Sequence, residues 1–102
     1  MMNKKMLKQA QDLQKRMAQM QEELEERTVE ASAGGGVVSV VVSGKMHVES
    51  IIIDPDAVDP EDVELLQDMV LAAVNDGLEK AQDMVGKEMS ALTGGLKIPG
   101  LM

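Results

Sequence analysis

Five cations in the first sixteen residues, Lys4, Lys5, Lys8, Lys15 and Arg16, are the side chains best placed for chemistry, and that chemistry is charge pairing. With Asp12 as the one acid among them, residues 1–16 carry +4, and the other 86 residues carry −12 of the net −8. On a helix the five fall within an arc of about 120°. Such a strip can hold phosphate oxygens and release condensed counterions, while the acidic remainder repels a polyanion and confines it to this end. A solvated charged face has the same pattern. The sequence has no Phe, Tyr or Trp, so it offers no stacking platform for unpaired bases and favours a duplex over single strands. Asn3, Gln9, Gln11 and Arg16 are candidates for reading base edges. Lys80 and Lys87, seven apart on about one helical side, are secondary candidates that also fit simple solubilising charges.

Other groupings lead away from catalysis. His47, the one histidine, lies beside Glu49 on a predicted strand, too little for a metal site or an acid–base dyad. Asp54, Asp56, Asp59, Glu61 and Asp62 lack the spacing and glycine of a calcium loop and fit turn and cap roles. Gly34-Gly35-Gly36 is followed by no phosphate-loop pattern and reads as a hairpin loop. With no Cys, thiol chemistry, disulfides and Cys-based metal sites are excluded. No enzyme activity, cofactor or metal is expected.

The elements that must position the cations follow from periodicity. One domain spans 1–102, and at this size, with a core of Val, Ile, Leu, Ala and ten Met, it gains from burying surface against a second copy. Residues 3–27 read as a helix: Met6, Ala10, Leu13, Met17, Met20 and Leu24 keep a 4-3-4-3-4 spacing. They form a stripe about 80° wide, suited to a seam with another helix and roughly opposite the cations. Residues 28–54 read as a three-stranded antiparallel meander, with strands around 28–33, 37–42 and 46–53. The middle strand is nearly all Val, so both its faces are expected to need cover. Residues 59–93 read as a long helix with Asp59 as N-cap, Pro60 at N1 and a Val58–Val63 staple. At about 35 residues it outruns a short sheet and overhangs it. Gly77 lies on its apolar stripe, where close packing is expected rather than a kink. Gly94-Gly95 is the expected stop, and 94–102 a tail. No apolar run has the length of a signal peptide or a membrane span, so a cytoplasmic protein is expected.

In this order several local motifs coincide with one family. Met6-Leu-Lys-Gln-Ala-Gln-Asp-Leu-Gln-Lys-Arg-Met17 is followed by the glycines, by Val37-Val-Ser-Val-Val-Val-Ser-Gly44, and by Ile51-Ile-Ile-Asp-Pro55. Leu66-Gln-Asp-Met-Val-Leu-Ala-Ala-Val-Asn-Asp76 carries the most specific match, and Thr93-Gly-Gly95 and Ile98-Pro-Gly100 close the series. Over nearly its whole length the chain resembles the YbaB/EbfC family of bacterial nucleoid-associated proteins. Gln67 stands where that family usually has Glu, and Gly77 where it usually has Ala. The resemblance implies an α+β homodimer whose paired sheets form a body and whose long helices project as arms. It also implies double-stranded DNA as partner, the nucleoid as location, and an influence on chromosome organisation or gene expression. Lys4, Lys5, Lys8, Lys15 and Arg16 are then the expected DNA contacts. The competing reading is a protein-interaction adaptor without direct DNA contact, suggested by the acidic balance and the Met-rich seams.

Overall fold

The computed structural model describes residues 3–94, so the tail motifs beyond Gly94 lie outside the described residues. Helix α1 spans Lys4–Glu26 without an interior Gly or Pro. Asn3 caps it, its side-chain oxygen accepting from Met6 N–H at 2.8 Å. Arg27 ends it in extended conformation, donating its N–H to the carbonyls of Glu23 and Leu24. Strands β1 (Thr28–Ala33), β2 (Val38–Ser43) and β3 (Val48–Ile53) then form an antiparallel sheet in the order β1-β2-β3. Helix α2 spans Val63–Gly94, through one of the two glycines read as its stop.

The α+β architecture agrees with the sequence reading, and the departures are local. Gly34, Gly35 and Gly36 all have positive φ and make the hairpin between β1 and β2, a conformation open to Gly at no steric cost. The third strand starts at Val48 rather than at 46. Ser43 donates its N–H to His47 O, Met46 donates to Ser43 O, and Met46 sits at φ 65, so the turn occupies residues assigned to the strand. At α2, Asp59 is not the cap. Its carboxylate accepts from Glu61 N–H at 2.9 Å and its carbonyl from Asp62 N–H, a closed turn that Pro60 favours. Asp62 takes the N-cap position beside Val63, its carboxylate accepting from Leu65 N–H at 3.4 Å. Val58 and Val63 are therefore no longer at staple positions, and both are half exposed. Asp62→Ala is expected to cost about 1 kcal/mol in a thermal or urea unfolding curve, with Asp59→Ala costing less; the reverse order would return the cap to Asp59.

The core lies between α2 and the first two strands. Val38, Val40 and Val42 on β2 and Ala31 on β1 are buried beneath Ala73 and Ala81 of α2. Between those alanines stands Gly77, where an added Cβ would lie 2.8 Å from Val42 Cγ2 and 2.9 Å from Val40 Cγ2. Ala73, Gly77 and Ala81, four apart, thus form a smooth strip on which the helix approaches the sheet closely, as expected for Gly77. The helix continues unbroken through Gly77 and Gly86.

The expectation that β2 needs cover on both faces changes form. Its residues facing away from α2 include Ser39 as well as Val41, and their neighbours across the ladders are Ser32, Glu30, Ile52 and Ser50, a largely polar face. Cover is missing across the strands instead. Helix α2 packs mainly on β1 and β2, with Ile53 of β3 at the margin of that core. Ile53, Ile51 and Val48 pair with Val38, Val40 and Val42 and therefore project to the α2 side. Yet Ile51 remains 45% exposed and Val48 39%. The chain measures 72 × 26 × 16 Å, elongated because α1 stands clear of this core.

Candidate nucleic-acid interface

Helix α1 meets the body only at its root. Leu24 is its one buried residue, Met20 and Glu25 are half-buried, and the rest is exposed from Lys4 to Gln19. The junction is a backbone contact. Gly44, in the turn between β2 and β3, donates its N–H to Arg27 O at 2.9 Å. A Cβ at Gly44 would overlap the Leu24 carbonyl oxygen, with Leu24 C at 2.8 Å and Glu25 Cα at 3.3 Å. Beside it Arg27 pairs with Glu88 of α2 at 2.9 Å, a half-exposed bridge of modest value.

On this rod Lys4, Lys5, Lys8, Lys15 and Arg16 are all exposed, and among the described residues none forms an ion pair. The helix brings them to one side, as the spacing predicts. Open depressions run along the rod, one lined by Gln9, Asp12, Leu13 and Arg16 and another by residues including Lys8, Asp12 and Lys15. Asp12 therefore sits inside the cationic strip and tempers it. Of the candidates for base reading, Asn3 is occupied as the cap, whereas the side chains of Gln9, Gln11 and Arg16 are exposed and make no hydrogen bond among the described residues.

The charges along α1 oppose its backbone. Its first turn holds no acid and its last turn no base. Cations at the positive end and glutamates at the negative end each cost about 0.3–1 kcal/mol when exposed. A helix loaded in this direction gains from an anion at its tip.

The secondary candidates separate. Lys80 Nζ donates to Glu30 O at 3.3 Å and lies 3.6 Å from the Asp76 carboxylate. It is turned onto the edge strand β1, away from any ligand of α1. Lys87 lines an open depression with Asp83 and Ser90, next in sequence to the Glu88 that holds Arg27 at the α1 root. Lys45 was missed in the sequence. It is exposed and follows Gly44, so it stands at the same root. The turn motif Ser43-Gly44-Lys45 was visible, but nothing local tied it to α1. His47 is exposed, and among the described residues no group of His and acids could hold a metal ion. Nor is any described helix long and apolar enough to cross a membrane.

The model of the YbaB/EbfC DNA-binding family matches residues 1–96. A nucleoid-associated protein of Pelotomaculum thermopropionicum is 62% identical over 97 residues, covering 95% of this chain and 92% of the relative. One from Desulforamulus reducens is 64% identical with the same coverage. Among solved structures, an uncharacterized protein from Helicobacter pylori shares the fold at TM-score 0.69 and 24% identity, covering 95% of this chain and all of its own.

Proposed function

The chain belongs to the YbaB/EbfC DNA-binding family, and from that premise we propose that it binds duplex DNA as a homodimer through Lys4, Lys5, Lys8, Lys15 and Arg16. The observation that carries this reading is the strip of exposed, unpaired cations on a helix held clear of an acidic body. Phosphates at these positions neutralise the cations, compensate the helix dipole and release counterions. The contacts are mainly to the backbone, and they position the protein without fixing a sequence. It acts as a binding protein and not an enzyme, in the nucleoid within the cytoplasm, where it influences chromosome organisation or gene expression. The name of its close relatives supports that location.

The dimer in this reading forms over β3. That strand is a sheet edge with Val48 and Ile51 exposed on the α2 side, beyond the part of the sheet that α2 mainly covers. The other edge, β1, is occupied in part by Lys80, a device that discourages edge pairing. Ile51→Asp is expected to halve the mass seen by sedimentation while α2 and the sheet remain folded. A wild-type monomer at micromolar concentration would remove the dimer from the proposal.

Salt tests the DNA contact. Two chains bring ten of these cations, and a protein making about 6–10 phosphate contacts loses about 10³–10⁵ in affinity between about 50 and 200 mM salt. A steep fall in that range is expected for a duplex probe. An affinity indifferent to salt would overturn the assignment.

A further inference from the structure

Two of the contacts that hold α1 at its root fall on the same turn. Leu24 is buried with its backbone against Gly44, and Arg27 O accepts the Gly44 N–H at 2.9 Å. Contacts gathered on one turn leave a helix free to rotate about it. The Arg27–Glu88 bridge at 2.9 Å reaches α2 instead. Among the described residues it is the one ion pair that ties separate parts of the fold together, since Lys80 and Asp76 pair within α2. Glu23, Glu25 and Glu26 lie close to Arg27 in sequence, yet its guanidinium crosses to α2 rather than pairing with its own helix end. Both partners are half exposed, so the bridge adds little to the stability of the fold. What it adds is direction. A guanidinium donating to a carboxylate has a preferred geometry, whereas the apolar contact of Leu24 has none.

We propose that Glu88 is a positioning residue for DNA binding: through Arg27 it fixes the direction in which α1 leaves the body, and with it the place of the five cations. The role in binding rests on the DNA reading, whereas the aiming of α1 does not. Any rotation left free at the root is largest at the basic tip, where Lys4, Lys5 and Lys8 stand. A duplex that meets a wandering strip must first order it, and that ordering lowers affinity. A strip already aimed avoids the loss. The sign of the effect separates positioning from plain electrostatics. Glu88 is an acid on a protein whose partner is a polyanion, so the removal of a bystander charge should tighten binding. Removal of a positioning charge weakens it.

The absence of Cys allows spin labels at Gln14→Cys on α1 and Asn75→Cys on α2, both exposed positions. Labelled chains are diluted into excess unlabelled chain, and the distance between labels is read by pulsed electron resonance without DNA. With Glu88 in place, one narrow distribution is expected. Glu88→Gln and Arg27→Gln are each expected to broaden it, and Glu88→Asp, which keeps the charge, to leave it narrow. In gel shifts on unlabelled variants at fixed salt, Glu88→Gln is expected to bind a duplex about two- to fivefold more weakly for each arm, with Glu88→Asp close to the unmodified chain. Circular dichroism spectra are expected to be the same for all, which excludes a loss of folding. Distances that stay narrow in Glu88→Gln overturn the proposal, as does duplex binding by that variant that holds or tightens. If the chain with Glu88 in place binds no duplex, the DNA reading fails and the role in binding with it. The distances, taken without DNA, tell that failure from a bridge that does not aim α1.

Discussion

Replacing Lys4, Lys5, Lys8, Lys15 and Arg16 together by Gln is expected to reduce duplex affinity at least about a hundredfold at moderate salt and to flatten its salt dependence. The effect is electrostatic. The substitution takes the net charge from −8 to −13 and leaves Arg27, Lys45, Lys80, Lys87 and Lys97 as the remaining cations. Of these, Arg27 and Lys80 are engaged within the chain. Folding should not suffer, because every replaced side chain is exposed. Removing cations from the positive end of α1 should even favour the helix slightly. Gel shifts at two salt concentrations, with circular dichroism and sedimentation on the same sample, check this. Binding that survives in a folded variant would move the interface elsewhere on the protein. A smaller, separate loss from Lys45→Gln/Lys87→Gln would extend the contact surface from the rod to its root.

Gly44→Ala carries the second large effect, on stability. The added methyl meets the Leu24 carbonyl and the backbone of Glu25, and neither can turn aside as a side-chain end would. Overpacking of this kind costs about 1–3 kcal/mol and at times more, or a fall in melting temperature on the order of 10 °C for a chain of this size. The hydrogen bond from Gly44 N–H to Arg27 O belongs to the same junction and would be stretched with it. Lys45→Ala, one residue on and exposed, is the control and should leave the melting curve unchanged. Equal curves for the two variants would mean that α1 does not rest on the turn.

How far the sequence revealed this arrangement differed from element to element. Both long helices were legible because a helical period ran over enough residues to leave one reading each, and the strands because β-branched runs stood between turn signals. Gly77 was legible too, since its place on an apolar stripe implied contact. The start of α2 was not, because Asp59-Pro60-Glu61-Asp62 satisfies the rules of a closed turn and of a capped helix equally well. Only the hydrogen bonds of Asp59 and Asp62 decide between them. The sequence pattern places the start of the third strand two residues too early because Met46 adopts a left-handed conformation usually signalled by Gly. The cationic strip followed directly from spacing. The role of Gly44 did not, for a turn alone already explained that residue, and its contact with Leu24 joins positions twenty apart.

The attachment of α1 at one end has a mechanical consequence. At 23 residues it is a lever about 34 Å long, pivoting where Arg27 leaves the helix. A swing of roughly 10° there carries the tip through about 6 Å for that length. The cost falls on a few bonds at the pivot and leaves the packing beneath α2 undisturbed. The basic tip can thus shift to follow the breadth or curvature of a surface it meets, with the valine layer as a fixed anvil.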